Sequence, residues 1–280
     1  MKFSIKWKRD TGKIPGFGLS LGLSLSYLSF LILIPISSLV LYAARMPLKD
    51  YLHIISDERV VAAFKVSFVS AFVAALINFV FGFIIAWVLT RYQFWGKKVI
   101  DALIDLPFAI PTAVAGISLA MMFSAQGSLG KLLAAFNVSI GYSKAGIVIA
   151  LAFIGFPFVV RTVQPVIEEM DRTIEEAAAS LGANFFQTFA RVIFPGILPA
   201  LITGATMAFA RGLGEYGSVI FISSNMPYES EIVPLLIVKR LMGFDYLGAS
   251  AIGVTMLIIA FIMMLAVNYL QNHMLRGRAS

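Results

Sequence analysis

Few side chains in this chain are suited to covalent chemistry. There is no cysteine among its 280 residues, so neither a disulfide framework nor a thiolate metal site is possible. The two histidines, His53 and His273, lie far apart and near the ends of apolar stretches, where they read as interfacial residues rather than metal ligands. No catalytic residue, metal or cofactor is expected. Three Gly-Lys pairs begin at Gly12, Gly96 and Gly130. None has a glycine five positions earlier or Ser/Thr after the lysine, so none is a nucleotide-phosphate loop. The run RGLGEYG, Arg211 to Gly217, contains Gly212-x-Gly214-x-x-Gly217. That dinucleotide fingerprint needs a strand before it and a helix after it. Here it falls in an apolar helical stretch, where glycines permit close helix contact or local unwinding.

The charges in that run matter more. A charge at the bilayer centre costs about 2.5–3.5 kcal/mol on insertion scales. Arg211 and Glu215 are four residues apart, a spacing that places them on one helical face and lets them pair. Two readings stay open: a neutralising pair between helices, and a face lining a path where Arg211 attracts an anion. Gly214 and Gly217 belong to the same candidate face. Pro107, Pro111 and Thr112, in the run DLPFAIPTAVAG, are its candidate opposite wall. Broken helix at membrane depth is tolerated only against protein or water. Asn78 is a weaker polar candidate, read as interhelical glue.

These residues are carried by a membrane protein. The chain is 59% hydrophobic and 13% charged, against about 25% charged for soluble domains. The net charge of +7 sits in short clusters between apolar runs, the pattern of membrane topology rather than of nucleic-acid binding. A hydrocarbon core needs about 20 apolar residues in helix. Six stretches qualify: Phe17 to Tyr42, Phe64 to Thr90, Ile104 to Phe123, Ala145 to Ile167, Ile197 to Ser223 and Leu247 to Leu270. The first is too long for a signal-peptide core and is read as a span. The expected fold is an all-α polytopic bundle of six transmembrane helices. The basic tail, with Lys2, Lys6, Lys8, Arg9 and Lys13, sets both termini inside by the positive-inside rule. The loop from 168 to 196 is then also cytoplasmic. The chain is expected to divide into 1–59 (tail, first span and outer loop) and 60–272 (the transmembrane core).

That loop has a built shape. Thr173 and Glu176 have the spacing of a capping box. Ala177 to Ala179 favour helix. Gly182 suits the left-handed position that stops one. The expected helix runs from Ile174 to Leu181, with Asn184 capping a second helix that Pro195 closes. Small side chains leave such a helix open to insertion in a groove of another protein.

Glu176-Ala177-Ala178, Gly182 and Val192-Ile193-Phe194-Pro195, at their spacing, resemble the EAA signature of ABC importer permeases; Val and Phe replace the usual Ile and Leu near its end. The resemblance implies a type I importer permease fold and a coupling helix that docks into a separate ATPase through Glu175, Glu176, Ala177, Ala178 and Gly182. DLPFAIPTAVAG, FPFVVRTVQPV and LGEYGSVIFI together are similar to the T-type permease of sulfate/thiosulfate importers, with Tyr216 where Phe is frequent, and the resemblance runs from about Gly16 to Leu270. That family implies a bacterial inner-membrane location, a W-type sibling permease, an ATPase dimer, and an extracytoplasmic sulfate/thiosulfate-binding protein. A permease for molybdate, tungstate or phosphate fits the same residues. An ion-gradient secondary transporter would show two related halves, which are not evident, and would give the capped helix no role.

Overall fold

The computed structural model describes residues 17–276, and among them the chain is helical with no strand. The basic tail from Lys2 to Lys13, and Arg278, lie outside the described residues. In chain order the helices are α1 (Phe17–Ala43), α2 (Leu48–Ile55), α3 (Glu58–Arg91), α4 (Lys97–Ile104), α5 (Leu106–Ala109), α6 (Thr112–Phe123), α7 (Ser128–Ala134), α8 (Lys144–Glu169), α9 (Arg172–Ser180), α10 (Phe185–Leu213), α11 (Val219–Ile222), α12 (Val233–Met242) and α13 (Tyr246–Arg276).

Five of these, α1, α3, α8, α10 and α13, are long and apolar enough to cross a membrane. The bent pair α6 and α7, at 43°, brings the number to six if counted as one span. The first, second, fourth and sixth expected spans coincide with α1, α3, α8 and α13. The third does not form one helix. Pro111 lacks an N–H and forces extended backbone on Ile110. Helix therefore restarts only at Thr112, and α6 has 12 residues, about 18 Å at 1.5 Å per residue. That is short of the roughly 30 Å hydrocarbon thickness.

Local signals explain the other boundaries. Asp57 caps α3 by accepting from the N–H groups of Arg59 (3.0 Å) and Val60 (3.3 Å). Ser143 caps α8 by accepting from Gly146 N–H at 3.4 Å. Gly96, at φ +85°, turns the chain between α3 and α4.

The core is a triangle of α3, α8 and α10. Lipid is as apolar as leucine, so close packing rather than hydrophobic burial must hold helices together there. Small residues allow that approach. A Cβ at Gly82 would meet the Val159 side chain at 2.7 Å. One at Gly204 would meet Val159 Cα at 2.8 Å and Phe158 O at 3.1 Å. Two apolar layers result. Leu89, Val163, Ile167, Ile193 and Ile197 pack at the α9 end. Ala71, Ile147, Leu151, Leu213 and Val219 pack at the opposite end.

At that opposite end a buried carboxylate anchors the chain before α12. Glu231, 1% exposed, accepts from Arg59 Nε (2.7 Å), Arg59 Nη2 (2.8 Å) and Lys239 Nζ (2.6 Å). Burial pushes its carboxyl up, but the two cations outweigh that and hold it below the ordinary range. Its contribution is therefore present above the ordinary carboxylate value and is lost only as pH falls through the lowered one. Glu231→Gln should flatten the acid limb of a plot of thermal midpoint against pH.

Gly204→Ala should destabilise the bundle by roughly 1–3 kcal/mol, because backbone of α8 must move to admit the methyl. Gly22→Ala, at a site with nothing within 4 Å, is the matched control and should leave the thermal midpoint in detergent unchanged.

Candidate functional site

The first candidate site is α9 and its flanks. The expected cap is shifted: Thr173 lies inside the helix, and Asp171 is the N-cap, accepting from Thr173 N–H at 2.9 Å. The Asp171 carboxylate reaches forward two residues to the Thr173 N–H, so the helix starts before Thr173. That backbone N–H, with the Thr173 hydroxyl, holds the Asp171 carboxyl below its ordinary range. The helix stops at Gly182, in the left-handed region at φ +84°. There Gly182 N–H donates to Ala179 O (2.9 Å) and Ala183 N–H to Ala178 O (3.1 Å).

Asn184 caps the next helix in a reciprocal box with Gln187, at 2.8 and 3.0 Å. Pro195 does not close that helix. A π turn over Phe189–Ile193 widens the backbone just ahead of it, and α10 runs on to Leu213. The missing Pro195 N–H is absorbed where the regular ladder is already interrupted.

On α9, Glu176 and Ala177 are exposed and Ala178 is half-buried. Glu175 turns inward and pairs with Arg91 Nη2 at the end of α3. Around the glycine stop, Leu181, Phe185 and Phe186 are largely exposed, at 89%, 76% and 75%. Sequence reasoning did not single them out. The available signal was large apolar residues beside a helix-stop glycine in an otherwise polar loop.

The second candidate site is the end of α10. The expected fifth span, continuous to Ser223, is broken after Leu213. Gly214 to Ser218 is irregular, and helix resumes only in α11. RGLGEYG therefore straddles a helix end instead of lying within a helix. The Arg211–Glu215 pair forms all the same, at 2.7 Å, with Glu215 just beyond the helix. Glu215 is 3% exposed and also accepts from Ser218 N–H (2.9 Å) and Ser218 Oγ (3.1 Å). The Arg211 side chain is 38% exposed. Gly214 is exposed on the turn.

This broken segment lies against the start of α6. A Cβ at Gly217 would collide with Thr112 Oγ1, and one at Gly116 with the Ser218 backbone. The structure thus brings Arg211, Glu215, Gly217 and Thr112 to one region, with Pro111 immediately before Thr112. Pro107 belongs to a different contact, in α5, which packs on α8. Gly212 lies against Ala71 and Leu151, which places Arg211 toward the end of the bundle opposite α9. Asn78 is buried at 2% with its amide Nδ2 unpartnered, beside Gly155.

A third polar cluster was not foreseen. Arg161 uses all five N–H donors: Asp105 Oδ1 (2.8 Å) and Oδ2 (2.7 Å), Asp101 Oδ1 and O (both 2.7 Å), and Gln164 Oε1 (2.8 Å). It ties α4 and the start of α5 to α8. Asp101 and Asp105 lie 60 and 56 positions away in sequence, so no local pattern announced them.

Chemically, the arrangement binds and positions. The guanidinium of Arg211 borders open space while its counter-carboxylate is buried and fixed by serine donors. Among the described residues no three His, Cys, Asp or Glu side chains are grouped to hold a metal.

Residues 78–277 match the family model described as binding-protein-dependent transport system inner membrane component. The chain is 48% identical over 259 residues to a sulfate transport system permease protein of Escherichia coli (strain K12), covering 92% of this chain and 94% of that protein. A probable sulfate transport system permease protein of Chlorella vulgaris is 50% identical over 216 residues, 77% of this chain and 81% of that one. In fold, the chain superposes with a TM-score of 0.77 and 16% identity on a chain of a bacterial alginate ABC transporter, solved with an alginate-bound periplasmic protein; 92% and 94% of the two chains are covered.

Arg211→Gln removes the partner of a buried carboxylate. It should destabilise the protein by about 3 kcal/mol or less, since Arg211 itself is partly solvated. Adding Glu215→Gln should recover most of that loss in the same thermal measurement.

Proposed function

The chain belongs to the family of binding-protein-dependent transport system inner membrane components, and on that premise we propose that it is a membrane-spanning permease subunit of an ATP-driven importer of sulfate or thiosulfate. The observation that carries the class is α9: a short, exposed, alanine-lined helix, capped at both ends and stopped by a left-handed glycine, between two spans. The substrate rests on the sulfate permeases to which the chain is nearly half identical along most of its length.

In this reading α9 is the coupling helix and lies on the cytoplasmic side, with both termini. Glu176, Ala177, Ala178 and Gly182 enter a cleft of an ATPase subunit, while Glu175, bonded to Arg91, faces the bundle. The apolar Leu181, Phe185 and Phe186 close against the cleft's rim. The chain has no nucleotide-phosphate loop, so ATP is bound and hydrolysed by that partner. A sibling W-type permease completes the core, residues 60–272 pair with it, and an extracytoplasmic binding protein delivers the anion. ATPase closure moves α9, and the path turns from inward-facing to outward-facing.

Arg211, with Glu215, Gly214, Gly217, Pro111 and Thr112, is the gate region, and Pro107 supplies the helix break on the inner side. A doubly charged oxyanion passing Arg211 competes with Glu215 for the guanidinium. Glu215 keeps its two serine bonds when it is displaced, so the carboxylate is not stranded.

Purification from detergent should recover an ATPase and a sulfate-binding protein with this chain. Gly182→Arg strains a left-handed residue and places bulk on the docking helix. It should release the ATPase and lower sulfate uptake by about tenfold or more. Full uptake in that variant would overturn the docking assignment.

A further inference from the structure

Two adjacent glutamates on α9 do different things. Glu176 is exposed. Glu175 is bonded within the chain, to Arg91 at the last turn of α3, 84 positions earlier. The Arg91 side chain is only 12% exposed, and its guanidinium lies over the Trp87 ring, 5.2 Å from the centroid. Its Nε is buried without a hydrogen-bond partner. A pair placed for stability alone gains little by stranding a buried donor. Something besides stability fixes Arg91 in this position.

Trp87 continues the connection. Its ring meets Phe189 edge-on at 5.9 Å. Phe189 in turn packs on Phe83 at 6.0 Å and on Phe194 at 5.9 Å, and Phe83 meets Phe194 edge-on at 6.2 Å. Phe189 opens the π turn and Phe194 follows it. One contiguous set of contacts therefore runs from α9 through Glu175, Arg91 and Trp87 into the widened turn of α10. A π turn is a common site of helix adjustment. α9 also packs directly on the start of α10, over Phe185–Ile193, and this connection adds the end of α3 to that contact.

We infer that Arg91 is a positioning residue for coupling: through Glu175 it fastens the docking helix to α3, and through Trp87 it passes displacement of that helix to the π turn of α10. The inference rests on the proposed role of α9 as the ATPase-docking helix. It separates the neighbouring carboxylates, with Glu176 facing the partner and Glu175 facing inward to the spans.

The test uses the complete assembly in proteoliposomes, reading anion imported per ATP hydrolysed alongside co-purification of the ATPase. With Arg91→Gln the ATPase should co-purify as with the unaltered chain, while anion per ATP falls about tenfold, within the range of coupling effects between sites. Arg91→Glu combined with Glu175→Arg should restore the ratio to within about threefold. Unchanged coupling in Arg91→Gln overturns the inference. So does failure of the double exchange to restore coupling while the ATPase stays bound. Loss of the ATPase from Arg91→Gln overturns it as well, since Arg91 would then only support the docking surface. If Arg91→Gln does not accumulate in the membrane, the double exchange alone decides. Absence of an ATPase from the unaltered chain would instead count against the docking reading itself.

Discussion

A peptide N–H or C=O in hydrocarbon has no water to bond, so each must be bonded within the protein. Regular helix is the default answer, and α3 and α13 follow it; α1 carries a π turn over Ser29–Leu33, and α8 has Pro157 and Pro165 within it. The informative places are those where the ladder is broken. Ile110 and Pro111 break it before α6, Gly214 to Ser218 break it after α10, and the π turn over Phe189–Ile193 widens it. The first two breaks meet each other, Gly217 on Thr112 and Ser218 on Gly116. The π turn is enclosed by Phe83, Trp87 and Phe194. These breaks touch other protein on one side, while Pro111 and Gly214 are exposed.

The same absence of water governs the charges. Arg59, Arg91, Arg161, Arg211 and Arg240 each hold a carboxylate. The pairs differ in what they join. Arg211–Glu215 stays within one segment and trims a helix end. Arg161 brings α4 to α8, Arg59 brings the start of α3 to the chain before α12, and Arg91 brings the end of α3 to α9. Arginine suits this work because its fork of donors satisfies several acceptors at once and its charge is not lost on burial.

Between the two candidate sites stands the α3, α8 and α10 triangle. Gly204 brings the α10 backbone against that of α8, and Gly82 and Gly155 admit Val159, Asn78 and Ala208, so the three helices are closely packed. That is the mechanical condition for a displacement at one end of the bundle to be felt at the other.

How much of this was legible in the sequence follows from the range of each force. Four of the six span positions, the stop at Gly182, the cap at Asn184 and the Arg211–Glu215 pair are local, set within a few residues, and the amino-acid order states them; the third and fifth spans are broken. Local reading erred where two local signals competed. Asp171 caps the helix two residues ahead of Thr173, and Pro195 was taken as a helix stop although a widened turn accommodates it. The remaining features are pairings between distant positions: Glu175 with Arg91, Arg161 with Asp101 and Asp105, Glu231 with Arg59, and Gly217 with Thr112. By itself the sequence determined a membrane-spanning helical chain with a capped, glycine-stopped helix in one loop, because hydropathy, capping and helix stops act along the chain. Only the tertiary structure decided which of two adjacent glutamates stays exposed and which pairs with the bundle, because that choice depends on a guanidinium 84 residues away in sequence.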